Sequence, residues 1–351
     1  MIRWLSRKRN GPIGIDLGDR AVKLVQLDAD HDRLLAANHW DVNTKGLAPA
    51  EMRQRFLNGL MHAHEGQGFR GRDAVICLSE RDLFLQNIRV PKTGDPRDYS
   101  RLVQQEAAGR LPYSVAEAEI RFLEADDVRQ GDSVMREIIL LACHLPKLEQ
   151  LLELVVEAGF RPIGVDIEPL CVLRSYFKQL RRDDDHQGRV MFVHVGYSKT
   201  LILIAEADHL LFVKYVDLGG QQMDEAVARH LEIELSDASA IRRHNGDRRV
   251  DQQDPEVTRS VTDAIRPVVE RLTNEIAMAI RYHSVTFRGR PLTRIILGGG
   301  EASMGLMNAF HQRIEMKCEL GDPLRSFVTD QRIQRKGLWD VATGLALREM
   351  N

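Results

Sequence analysis

Residues 11–28 read GPIGIDLGDRAVKLVQLD, and one acid, Asp16, stands inside an otherwise apolar strand just before the turn Gly18-Asp19-Arg20. A carboxylate in that place can hold a magnesium ion through water. The glycine beside it lets backbone N–H groups close on a phosphate. Asp19 and Arg20 occupy turn positions where hydroxyls would suit a phosphate better, although Arg20 can itself contact one. The alternative is an ordinary hairpin turn with Asp16 hydrogen-bonded locally, and this hairpin alone does not decide between them.

Two more glycine turns bear on the choice. Gly219-Gly220 follows the strand YVDL, and Gly298-Gly299-Gly300 sits between a strand (RIILG) and a helix. Glycines there allow a nucleotide to approach closely and leave a helix N-terminus nearby. Tight strand–helix packing needs glycine as well. Three such turns in this order, after a repeated hairpin, favour a nucleotide cleft.

The elements that must position these turns fall into two halves. PIGIDLG and AVKLVQLD form a hairpin, HDRLLAANHWDV a third strand, and residues 48–64 a helix with Met52, Phe56, Leu60 and Met61 on one face. A segment at 72–163 follows: strands DAVICL, LFLQNIRVP and REIILLACHL, a helix capped by Asp95, and a helix ended by Gly159 and Pro162. Its pattern is βαβα-like and suggests an inserted subdomain. IGVDI and a helix come next, then the polar run RRDDDHQG, which reads as a linker. RVMFVHVGYSKTLILIAEAD then repeats the opening hairpin, and the strand HLLFVKYVDL, three helices and the RIILG strand complete the second half before the closing helix WDVATGLALRE.

The bulk numbers exclude several classes. The 351 residues favour two domains, and the 43% hydrophobic, 28% charged composition is that of a globular protein. A formal net charge of −2 gives no basic field for nucleic acid. Cys77, Cys143, Cys171 and Cys318 follow or sit within apolar runs and form no CxxC pair, so buried free thiols in a reducing compartment are expected. The histidines show no HExxH spacing. The opening MIRWLSRKRNG lacks the apolar core of a signal peptide and reads either as a solvated tail or as a basic segment touching an anionic membrane face. No stretch reaches the roughly 18–20 apolar residues that span a bilayer, so the cytoplasm is expected.

Taken together, these motifs resemble the PilM family of type IV pilus assembly proteins, within the actin-like ATPase superfamily that includes FtsA, MreB and Hsp70. IGIDLGDRAVKLVQL resembles the first phosphate motif and VHVGYSKTLILI the second. QQEA followed by PYSVAEAEIRF resembles the inserted subdomain 1C, and AGFRPIGVDIEPLCVLRSY its return to the first lobe. YVDLGGQQMDEAVA, IILGGGEASMGL, GDPLRSF and VATGLALRE match the remainder in order.

The resemblance implies an α/β, two-lobe actin-like (ribonuclease H-like) fold: first lobe 11–71, insertion 72–163, first lobe and linker 164–187, second lobe 188–330 with subdomain 2B at about 226–288, and a helix at 331–351 returning to the first lobe. It implies ATP and magnesium as cofactors, the metal held by Asp16 through water. Asp16, Gly18, Asp19, Arg20 and Lys23 would serve the first phosphate turn, Gly196, Ser198 and Thr200 the second. Gly219, Gly220, Gly298, Gly299 and Gly300 would line the nucleoside side. A PilN-like inner-membrane protein would leave its N-terminal tail in a groove beside the insertion, with the helix at 97–111 and Pro112-Tyr113 as candidates. Other pilus or secretion proteins are implied partners, the place is peripheral to the inner membrane, and self-association stays open.

One departure bears on turnover. Where the family's second motif carries an aspartate, this chain has His194. A neutral imidazole of ordinary pKa, about 6.5, does not replace that charge, so binding is expected and hydrolysis is not. No catalytic residue is assigned. The alternatives are a degenerate pseudo-ATPase scaffold, a small-molecule kinase, which needs a carboxylate base in the cleft, and an FtsA-like division protein.

Overall fold

The structure, a computed structural model, describes residues 10–44, 46–180, 188–247, 253–287, 290–331 and 333–348. The basic segment before residue 10 and most of the polar linker, 181–187, lie outside the described residues.

The chain opens as an antiparallel meander of β1 (Asn10–Leu17), β2 (Ala21–Asp28) and β3 (Leu34–Asp41). Gly18 N–H donates to the Ala21 carbonyl at 3.2 Å and closes the first turn. The resulting register sets Asp16 directly opposite Lys23, so both side chains leave the sheet on one face. Helix α1 (Pro49–His64) starts on a proline and buries Leu57, Leu60 and Ala63. The buried strand β4 (Asp73–Leu78) then runs parallel to β1.

β5 (Leu83–Pro91), α2 (Pro96–Ala108), β6 (Ala118–Gln130) and β7 (Ser133–His144) form a separate unit, an antiparallel sheet ordered β5-β7-β6 under one helix. Asp95 caps α2, accepting from Arg97 N–H. Tyr99, Val103 and Ala107 of that helix pack on Ile138 and Leu140. α3 (Leu145–Glu157) follows, and β8 (Arg161–Ile167) pairs parallel to β4.

The insertion is therefore narrower than 72–163. β4 is fixed in the first sheet by its pairing with β1 and β8, α3 packs its Leu154 and Val155 into that sheet's core, and the separate sheet spans 83–144. Nor is it βαβα: β6, read as no element from sequence, pairs antiparallel to β7. Its alternation is broken where the register shifts between Glu124 and Asp127.

α4 (Glu168–Phe177) leads to the second lobe. There β9 (Arg189–Val195), β10 (Thr200–Glu206) and β11 (His209–Val216) repeat the meander. α5 (Gly220–Leu231), α6 (Leu235–Asp247) and α7 (Pro255–Thr286) pack together around Val227, Ala238, Val261 and Ala264. β12 (Leu292–Gly298) returns parallel to β9, followed by α8 (Met304–His311) and β13 (Lys317–Leu320). The two sheets have one order, β3-β2-β1-β4-β8 and β11-β10-β9-β12-β13. This duplicated α/β core is the two-lobe actin-like ATPase fold.

The last helix, α9 (Asp340–Ala346), lies against β1 and α4 in the first lobe. A Cβ on Gly344 would stand 2.0 Å from the Cys171 carbonyl oxygen, so only glycine permits this crossing of α9 and α4. A shared apolar cluster underlies the cleft, joining Val75, Cys171 and Tyr176 to Phe192, Leu201 and Ile296.

Candidate functional site

The two turns, 18–20 and 196–199, face each other across an interlobe cleft, with the ends of β1, β4 and β9 and the start of α4 as its walls. Gly196 N–H donates to the Lys199 carbonyl at 2.9 Å and closes the second turn as Gly18 closes the first. The amides of Asp19, Arg20, Tyr197 and Ser198 at the tips close neither turn.

The cleft floor is a chain of buried charges. Lys23 Nζ lies 2.5 Å from Asp16 Oδ2. Burial raises the Asp16 carboxyl above its usual value, with Lys23 pulling it back; burial opposes the Lys23 charge, but Asp16 overrides it and the ammonium is held above its usual value. His194 reaches two carboxylates at once, Nδ1 to Asp340 Oδ2 at 2.8 Å and Nε2 to Glu168 Oε1 at 3.1 Å. Burial disfavours its charge, yet Asp340 and Glu168 outweigh burial and push the imidazole up to about 10. His194 is thus an imidazolium donating from both nitrogens. The expected neutral ring of ordinary pKa is corrected, because the sequence does not reveal its two acids. Burial opposes the Glu168 charge as well, but His194 holds it below its usual value, and Tyr215 donates to it at 2.8 Å.

The rim is joined across the lobes. The Ser198 hydroxyl and the Arg81 guanidinium both donate to the Asp19 carboxylate. Arg20 bonds Ser239 Oγ at 2.7 Å, pairs with Asp224 at 3.3 Å and lies 5.1 Å from the centre of the Tyr197 ring. Asp224 is fully buried and is also held by Arg242, which bridges to Glu301 at 2.8 Å.

Of the residues picked out by sequence, Asp16, Gly18, Asp19, Arg20, Lys23, Gly196, Ser198, Gly300 and His194 line the cleft. The others support it from behind. Thr200 is buried and donates to the Leu218 carbonyl at 2.7 Å. Gly219 packs on the Gly196 and Tyr197 carbonyls, Gly220 on the Glu301 side chain, and Gly298 on Asp340. Gly299 takes a positive φ of 92° against Val195. Sequence reading missed Glu80, Arg81, Glu168, Tyr215, Arg243 and Asp340. The acids Glu168 and Asp340 stand in the first turns of helices, where a carboxylate reads as an ordinary favourable charge.

These residues fit a nucleotide in part. Arg243 lines the cleft, and its Nε is buried with no hydrogen-bond partner among the described residues, which suits an anion. Magnesium fits less well. Lys23 takes Asp16 Oδ2 and places a positive charge beside it, and no group of three acidic, histidine or cysteine side chains among the described residues is arranged to hold a metal directly. The cleft does hold a buried carboxyl of the kind a transferase would need: burial, with Asp19 and Glu168 nearby, pushes Glu80 up to about 7.

Comparison with known proteins agrees with the fold. A sequence model described as type IV pilus assembly protein PilM matches residues 14–350. A solved structure titled PilM-PilN type IV pilus biogenesis complex superposes with a TM-score of 0.77 at 23% identity, covering 97% of this chain and 98% of that one. The ethanolamine utilization protein EutJ from Carboxydothermus hydrogenoformans superposes at 0.58 with 15% identity, covering 96% of this chain and 89% of that one.

Proposed function

The chain belongs to the PilM family of type IV pilus assembly proteins, and on that premise we propose that its work in the pilus machine is binding rather than turnover. It is a scaffold that receives the N-terminal tail of a PilN-like inner-membrane protein and so sits at the membrane through that partner. Among the described residues no helix is long and apolar enough to cross a membrane by itself. Its interlobe cleft takes an adenine nucleotide, with Arg243 and the tip amides of the two turns available to the phosphates.

The observation that carries this reading is the chain Glu168–His194–Asp340. A base must be free to accept a proton from water or a substrate hydroxyl. Glu168 is occupied by His194 and Tyr215, and Asp340 by His194 and the Gly299 N–H. The tail is proposed to dock where the insertion meets the first lobe, near Tyr113. That ring stacks on His144 with centroids 4.8 Å apart, and its hydroxyl is buried without a partner among the described residues.

Glu80 favours a second reading, a phosphoryl-transfer enzyme with this carboxyl as base. Calorimetry with a synthetic PilN tail and with ATP plus magnesium, followed by a phosphate-release assay, separates the two. Tail binding that Tyr113→Ala weakens, with release no faster than in buffer, supports the scaffold. Release that Glu80→Gln abolishes overturns it in favour of the enzyme.

A further inference from the structure

The turn that ought to greet a phosphate already holds an anion of its own. Asp19 projects from the first turn across the cleft, where its two carboxylate oxygens take the Ser198 hydroxyl of the second turn and the Arg81 guanidinium. Its side chain is only 11% exposed. Its backbone is anchored: Thr44 donates to the Asp19 carbonyl through both N–H and Oγ1 at 2.9 Å, and Val42 N–H donates to the Arg20 carbonyl at 2.8 Å. Arg20, the next residue, reaches the second lobe through Ser239, Asp224 and the Tyr197 ring. Two consecutive residues thus tie one lobe to the other.

We propose that Asp19 is a latch that stands in for a nucleotide's terminal phosphate and holds the lobes closed when no ligand is present. A carboxylate and a phosphate oxygen recruit the same donors, a hydroxyl and a guanidinium. Where a ligand phosphate would bridge two glycine turns, this chain bridges them with its own side chain. A terminal phosphate entering that space meets a like charge and must displace Asp19 from Ser198 and Arg81. Closure here does not wait for nucleotide, and partner binding that depends on closure is available to the empty protein. The inference rests on the nucleotide reading of the cleft only for the competition; the latch itself is a property of the free chain.

The test uses spin labels at Arg55→Cys on α1 and Arg271→Cys on α7, both exposed, in the otherwise full chain. Interlobe distances are read by pulsed electron resonance, and ATP plus magnesium is titrated by calorimetry. With Asp19 intact, one narrow distance distribution is expected, unchanged by nucleotide. Asp19→Ser, which removes the charge and both acceptor oxygens and puts a single hydroxyl in the turn, should broaden the ligand-free distribution toward longer distances and tighten ATP binding at least about tenfold. Ser198→Ala should broaden it as well, and the double variant should add little, because the two residues share one contact. Unchanged ligand-free distances in Asp19→Ser and Ser198→Ala, both folded by circular dichroism, would overturn the latch. So would ATP binding to the unmodified chain as tight as to Asp19→Ser. If none of these proteins binds nucleotide but both single variants open, the latch is upheld and the nucleotide reading of the cleft fails.

Discussion

His194 Nδ1 stands 2.8 Å from Asp340 Oδ2, although 146 residues separate them in the chain. His194 stands one residue before the end of β9 in the second lobe, and Asp340 opens α9 against the first. The same Asp340 oxygen accepts the Gly299 N–H at 3.1 Å. The pair pins the lobes at the base of the cleft, as Asp19 and Ser198 join them at the rim.

Restoring the family's aspartate is therefore expected to damage the protein. His194→Asp would place a third carboxylate beside Glu168 and Asp340, both of which now share the imidazolium. Removing one partner of a buried ion pair costs about 3–5 kcal/mol. Urea unfolding should show a loss of that order, and phosphate release should not appear. A stable His194→Asp protein that hydrolyses ATP would show instead that the histidine alone suppresses turnover.

Stability should fall on the alkaline side. The folded imidazole stays charged up to about pH 10, whereas unfolded histidine titrates near pH 6.5. Its contribution is complete below about pH 6.5 and is lost as pH rises toward 10, about 5 kcal/mol at most. Glu168, held below its usual value by His194 against the effect of burial, works the other way and loses its contribution on acidification. Urea midpoints measured from pH 4 to 10 should peak near pH 5–6.5. His194→Gln should flatten the alkaline limb, and an unmodified protein with no alkaline limb would mean the ring is neutral.

The Asp16–Lys23 pair predicts a coupled loss. Lys23→Met leaves a buried carboxyl without its cation and should cost roughly 3 kcal/mol. Lys23→Met combined with Asp16→Asn removes the orphaned charge and should cost less than Lys23→Met alone. Additive losses would indicate that the two groups do not share a bond in solution. If magnesium raises the melting temperature of Lys23→Met but not of the unmodified chain, Lys23 is what keeps metal from Asp16.

What could be read from the sequence was what depends on neighbours in the chain. The hairpins, their glycine turns and the repeat of one meander in each lobe follow from alternation and turn chemistry over about twenty residues. Gly18, Gly196 and Ser198 were placed in the cleft for that reason. Thr200, Gly219 and Gly298 share the same motifs but serve packing, and side-chain direction within a turn is set by what lies across it. Glu168 and Asp340 gain their role only when α4 and α9 converge on His194, and no local pattern encodes that meeting. β4 reads as part of the insertion from sequence because its parallel partners, β1 and β8, are distant in the chain. β6 was missed because a register shift interrupts its alternation.

That convergence can be tested through a residue that never touches the cleft. A Cβ at Gly344 would fall 2.0 Å from the Cys171 carbonyl oxygen and 2.5 Å from its carbon, both backbone atoms that cannot swing aside. Gly344→Ala must therefore push α9 away from α4, carrying Asp340 from His194. Gly300→Ala is the contrast. Gly300 lines the cleft itself, yet its added methyl would meet only the tip of Leu338 at 3.1 Å. Overpacking of the first kind costs about 1–3 kcal/mol or more, and displacing Asp340 adds the loss of the His194 pair. Gly344→Ala should thus lose well over 3 kcal/mol in urea unfolding and lower the alkaline limit of the His194 proton, read from its ring resonances by NMR. Gly300→Ala should remain close to the unmodified chain in both. Equal losses in the two variants would show that α9 is not what holds the acid beneath the cleft.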